Sequence, residues 1–146
     1  MDLLSIIIII FMIMELSNVI ILYFKPEFKY GNGIAVFNGW EKSKEDENMH
    51  NFVKYLVNWV AGVKLIFIIL LGAIVALGNE ELKILAVICL IISIATYYFR
   101  LSPLIRKLDK NNEITPKGYS KTLDLTIFSF ICVFIMGLYI SLNRIS

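Results

Sequence analysis

Four long apolar runs dominate this chain and leave it one class of fold. They are Leu3 to Phe24 (LLSIIIIIFMIMELSNVIILYF), Trp59 to Gly78 (broken only by Lys64), Leu82 to Phe99 and Leu123 to Leu142. A helix that crosses a hydrocarbon core about 30 Å thick needs about 20 residues at 1.5 Å rise each. Membrane-spanning strands need only about 10 residues and alternate apolar with polar, which these runs do not. A helix also satisfies every backbone polar group within its own segment, as lipid demands. The expected fold is therefore an all-α integral membrane protein. Four transmembrane helices form an antiparallel bundle in a single domain over residues 1–146, with spans at about 3–24, 55–78, 82–99 and 123–142. The overall hydrophobic content of 58% exceeds the 45–50% typical of soluble domains, and the excess lies in these runs. The first run is preceded by Asp2 rather than a basic segment and is followed by no small-residue cleavage motif, so it reads as a permanent span and not a signal peptide.

The connections set the topology. Spans two and three are separated only by Asn79, Glu80 and Glu81, which forces a tight hairpin. Lys25, Lys29, Lys42, Lys44 and Lys54 fall between the first two spans, and Arg100, Arg106, Lys107, Lys110, Lys117 and Lys121 between the last two. Only Lys83 and Arg144 fall on the opposite side. Basic residues in short loops stay on the cytoplasmic side. The expected placement is a multi-pass protein of the cell membrane, with loops 25–54 and 100–122 cytoplasmic and both termini outside. Tyr23, Phe24, Trp59, Tyr97, Tyr98 and Phe99 near the inner boundary, and Tyr139 near the outer one, suit the interfacial preference of aromatic rings.

Helices are also expected within the loops. Ser43 with Asp46 resembles a capping box opening a helix that runs through Phe52, Tyr55 and Leu56 into span two. In RLSPLIRKLDK, Leu101, Leu104, Ile105 and Leu108 form an apolar stripe opposite Arg106, Lys107 and Lys110, which suits a short helix on an anionic leaflet. Thr122 is placed to cap span four, with Asp124 in its first turn. Gly31–Asn32–Gly33 opens like a dinucleotide fingerprint, but Val36 stands where the third glycine belongs and no βαβ context surrounds it. The segment through Phe37 reads instead as a loop resting on the interface.

Within this frame Glu15 stands out. It lies twelve residues from Leu3 and nine from Phe24, about 13 Å from the inner boundary at helical rise, beyond the reach of so short a side chain. An ionisable group at that depth marks a functional site by default. A central acid costs about 2.5–3.5 kcal/mol on the insertion scale, while each large aliphatic returns roughly 0.3–0.6, so the span still inserts if the carboxyl faces protein or is neutralised. Lys64 is the available partner. It lies about 7–8 Å inside Trp59 at helical rise, and its stem either snorkels to the headgroups or reaches outward to Glu15. Asn18 extends the same face of span one, and Asn58 shares a face with Lys54 near the membrane edge. Cys89, Ser93, Thr96 and Arg100 in span three, with Ser129 and Cys132 in span four, form semipolar stripes expected to face the bundle axis. Gly62 and Gly72 are expected to allow close helix approach.

In plan, four spans with a lone glutamate in the first resemble the small multidrug transporters. The loops here are much longer, the charge bias is strong and Lys64 has no place in that plan, so their function is not carried over. No metal cluster, P-loop or activated nucleophile is visible, and His50, the single histidine, reads as a solvated helix residue near Asp46 and Glu47. No cofactor, nucleic-acid partner or enzymatic activity is expected. Two functions remain. One is a structural or accessory membrane protein in which Glu15 and Lys64 fix helix register, alone, as a homo-oligomer or in a larger membrane complex. The other is an oligomeric transporter or channel for ions or small solutes with Glu15 as its ion or proton site.

Overall fold

The computed structural model describes residues 2–29 and 33–145, the last two by backbone alone. Its helices are α1 (Leu3–Phe24), α2 (Asn38–Ser43), α3 (Glu47–Leu77), α4 (Glu80–Ala95), α5 (Tyr97–Lys110) and α6 (Tyr119–Ile145), with a single 3-10 turn at Ile34–Val36. No strand occurs among the described residues; the nearest approach is one antiparallel bridge between Phe37 and Ile114. Four stretches are long and apolar enough to cross a membrane: Leu3–Phe24, Glu47–Leu77, Glu80–Lys110 and Tyr119–Asn143. Outward-facing residues on all four long helices, Ile13, Ile66, Ile69, Ile92 and Met136, are each more than half exposed. Apolar exposure on this scale marks a membrane or partner surface.

Local chemistry explains most helix ends. Asp2 caps α1 by accepting from the Ser5 amide, and Asn79 caps α4 by accepting from the Leu82 amide. Each satisfies an amide that the first turn leaves unpaired. The cap of α3 is Asp46, which accepts from Asn48 and Met49. This corrects the capping-box reading: Ser43 belongs to α2, and its hydroxyl bonds the Trp40 carbonyl. Asn112, at φ 59°, turns the chain away after α5, a conformation asparagine tolerates through local hydrogen bonding.

The third and fourth spans differ from the sequence reading. The run 82–99 is not one helix: α4 stops at Ala95, and α5 begins at Tyr97 and carries Pro103 inside it. Helix α6 opens at Tyr119, a turn before 123, so Thr122 is an interior residue whose carbonyl accepts from Thr126. The true cap of α6 arrives from α5, where the Asp109 carboxylate accepts from the Gly118 and Ser120 amides and from the Ser120 hydroxyl.

Three buried clusters hold the helices together. Near the Asn79 turn, Leu4, Ile8 and Phe11 of α1 meet Leu71, Val87, Leu90 and Phe134. Phe11 sits edge-on to Phe130 and Phe134 at 5.4 Å each, a favoured aromatic geometry. Gly137 lets α6 approach closely there, since a Cβ on it would lie 2.5 Å from Ile7 Cδ1. Further along α1, Val19 and Leu22 pack on Val57, Ala61, Ala35 and Trp40. At the opposite end from the turn, Val36, Tyr97, Ile105, Ile114 and Tyr119 form the third cluster.

That third cluster overturns the picture of 33–37 as a loop on the interface. Val36 and Trp40 are among the most completely buried side chains. The Thr115 amide donates to the Val36 carbonyl, and the Asn38 amide to the Glu113 carbonyl. The two long connections are thus stitched together. Apolar Ile34–Phe37 fills a hollow between helix ends instead of facing a surface. Gly31 and Asn32 lie outside the described residues. The α5 stripe is likewise divided: Ile105 and Leu108 turn into the cluster, while Leu101 and Leu104 remain exposed.

The semipolar stripes face the other way from expectation. Cys89, Ser93, Thr96 and Ser129 are all exposed. The inner face of α4 is Lys83, Ala86, Val87 and Leu90. Mostly aliphatic side chains fill the interior, and the outward hydroxyls are satisfied by their own helices, Thr96 by the Ser93 carbonyl and Ser129 by the Leu125 carbonyl. Such back-bonding lets hydroxyls sit on an apolar face.

Candidate functional site

Helices α1 and α3 pack against each other along their lengths, and that pairing carries the polar cluster. Lys64 Nζ lies 2.7 Å from Glu15 Oε2 and 2.7 Å from Asn18 Oδ1, donating to both. Glu15 and Asn18 are three residues apart, so they share one face of α1. Of the two positions open to the Lys64 stem, the structure has it on α1. The pair is mostly covered, with side-chain exposures of 22% for Lys64 and 23% for Glu15, and Asn18 is buried. The smaller residues of α3 permit the approach: Ala61 is fully buried, while Gly62 and Gly72 face Tyr23 and Met12 of α1. Asn58 is exposed and stands apart from this cluster. It lies on the outer side of α3, because Val57 and Ala61 take the buried side.

Two cavities flank the cluster. One, of about 270 Å³, lies beside Asn18, Lys64, Val57 and Ile34. The other, of about 480 Å³, lies between α1 and α6 and is bordered by Glu15, Asn18, Leu123, Ile127 and Phe130. The ion pair therefore stands between the two, with its charges satisfied by each other and by Asn18.

Four further polar centres were not singled out from sequence. Asp124 receives the hydroxyls of Tyr97 and Ser102 and the guanidinium of Arg106, while its carbonyl accepts from Tyr98. The signal was present: Asp124 is an acid inside an apolar run, as Glu15 is, and Ser102 and Arg106 recur at one-turn spacing. Asp2, the α1 cap, also pairs with Lys83 of α4 at 2.7 Å. The Lys83 ammonium, assisted by Ser5, holds the Asp2 carboxyl well below the usual carboxylate range against the opposing effect of burial. Lys42 bonds Glu113 across the stitched loops. Lys44 joins Glu27 and Glu41, which lowers the Glu27 carboxyl and raises the Lys44 ammonium from their ordinary values.

His50 differs from its expected solvated setting. Its Nδ1 is 2.8 Å from the Ser43 hydroxyl, and its ring packs 4.8 Å from Trp40. Cys89 is an exposed free thiol and Cys132 a half-buried one. Among the described residues, no group of three or more His, Cys, Asp or Glu side chains is gathered as a metal site would be. No protein-family model, curated protein or solved structure matches the chain.

Proposed function

We propose that the chain is a multi-pass protein of the cell membrane, its four long helices forming an antiparallel bundle, and that its role is structural or accessory. The two stitched loops are cytoplasmic and both ends of the chain lie outside, a placement that the distribution of lysine and arginine favours. One observation carries the functional reading: Lys64 and Glu15, the two charges set deepest in their apolar runs, neutralise each other at 2.7 Å, with Asn18 completing the cluster. In an apolar surround such a pair stands in one register, because sliding α1 against α3 by a turn, about 5.4 Å, would strand both charges. Register fixing is the best-attested use of a lone buried polar pair. A bundle held this way suits a subunit, assembly factor or regulator that presents its apolar faces to partner helices.

A second reading is kept because Glu15 also borders the larger cavity. An oligomer of this chain would then transport a small solute or ion, with Glu15 exchanging partners between Lys64 and the cargo.

Glu15→Gln in purified, reconstituted protein separates the two. The structural role predicts a lowered thermal midpoint with proton uptake and solute flux no different from the parent. A retained midpoint with abolished flux would instead establish transport.

A further inference from the structure

Below the level of Phe11 and Phe130, helices α1 and α6 are separated by the 480 Å³ cavity. On α6 it extends from Tyr119 to Phe130, about 16 Å at helical rise. Its wall is mostly apolar: Ile21 from α1, and Leu123, Ile127 and Phe130 from α6. At its rim, beyond the ends of the apolar runs of α1 and α6, stand Lys29 and Lys117. Both are exposed, and neither has an ion-pair partner among the described residues. Lys117 also borders a second depression where Lys110 and Lys121 stand beside Asp109 and an Arg106–Asp124 ion pair, so a modest excess of positive charge continues beyond the rim.

Charge and shape together select the occupant. Glu15 is the only acid on the wall among the described residues, and Lys64 already neutralises it, so a cationic amphiphile would find no free counter-charge there. A small anion would meet two flexible ammonium groups and leave the apolar depth below unfilled. Sites of this volume bind ligands mainly through apolar lining, with a few polar groups fixing orientation. We propose that this cavity is a binding site for an anionic phospholipid. One acyl chain lies between α1 and α6, and the phosphate sits between Lys29 and Lys117. The site rests on the membrane reading above, and it would make the lipid a third wall where α1 and α6 part.

The test uses the full chain in nanodiscs, comparing thermal midpoints in palmitoyl-oleoyl phosphatidylglycerol and palmitoyl-oleoyl phosphatidylcholine, with soluble glycerol phosphate as the headgroup-only arm. The expected result is a higher midpoint in phosphatidylglycerol alone and no effect of glycerol phosphate. In Lys29→Gln/Lys117→Gln the apparent affinity for phosphatidylglycerol falls about 25-fold, about fivefold per lysine, the strength of one basic residue at an anionic surface. Thr126→Trp or Thr122→Trp, each at an exposed position on the α6 wall, abolishes the lipid difference with both lysines intact. Equal midpoints in the two lipids, a difference that survives the lysine substitutions, or the same gain from glycerol phosphate would each overturn the site. Extraction of the chain from membranes by alkali overturns the membrane reading and the site with it. A chain that resists extraction but shows no lipid difference overturns the site alone.

Discussion

Lys64→Met is the most direct perturbation of the helix pairing. At 2.7 Å, and with an effective dielectric of about 20, the attraction between Lys64 and Glu15 is about 6 kcal/mol. Desolvation of two ions cancels most of that, so the pair itself adds little net stability. Breaking it is another matter, because the surviving charge keeps its desolvation cost and loses its counter-charge. Loss of one partner from a fully buried pair costs about 3–5 kcal/mol. The exposures of 22% and 23% scale that down to about 2–4 kcal/mol for Lys64→Met. Glu15→Gln leaves an amide oxygen to accept from Lys64, and Asn18 still accepts as well, so its expected cost is about 1–2 kcal/mol. The double variant has no stranded charge and should cost no more than Glu15→Gln alone, which makes the two substitutions non-additive by about 2 kcal/mol. Reversible unfolding in mixed micelles, followed by the fluorescence of Trp40 and Trp59, measures all four corners of the cycle. Additivity within about 0.5 kcal/mol, or a Lys64→Met protein as stable as the parent, would refute register fixing by this pair.

Gly137→Val should destabilise by about 1–3 kcal/mol, because Ile7 and Leu4 occupy the space a side chain would need; Gly39→Ala, with nothing within 4 Å, is the silent control in the same unfolding assay. Asp124→Ala should cost about 2–4 kcal/mol by leaving Tyr97, Ser102 and Arg106 without their acceptor, and limited proteolysis should then cut within 100–118 sooner than in the parent. The Asp2 carboxyl titrates below its ordinary value of 3.8 because Lys83 favours its charged form. Its stabilising effect is therefore complete above that value and is lost as pH falls through the lowered one. A stability–pH profile should show an acid limb that Asp2→Asn flattens, and an unchanged limb would place the effect elsewhere.

What sequence could reveal here follows from which signals are one-dimensional. The limits of α1 coincide with the apolar run because the run is bounded by polar residues at both ends, and the turn before α4 was legible from Asn79, Glu80 and Glu81, of which the two glutamates open the helix itself. Glu15, Asn18 and Lys64 stood out because a charged or strongly polar side chain in an apolar run is conspicuous wherever its partner lies. The break after Ala95 was hidden, since the apolar character of 82–99 continues across it. The orientation of Ser93, Thr96 and Ser129 was misjudged for a related reason: a hydroxyl that bonds its own helix loses its preference for the interior. The burial of Val36 depends on Ile114, Thr115 and Tyr119, more than seventy positions away, and nothing local announces such a contact. Asn58 stands apart from the Glu15–Lys64 cluster because its neighbours Val57 and Ala61 claim the packed face.

The stitch between Val36 and Thr115 also imposes an order in time. Everything the Lys64–Glu15 contact needs has been synthesised once α3 emerges, so α1 and α3 can pair early. The backbone groups of Val36 and Asn38 must wait for Glu113 and Thr115. At 5–20 residues per second that delay is about 4–15 s, during which the apolar turn at Ile34–Phe37 has no lid. A nascent chain halted before Glu113 should therefore cross-link between α1 and α3 yet be cleaved readily around Val36, and it would offer a chaperone its target during that interval.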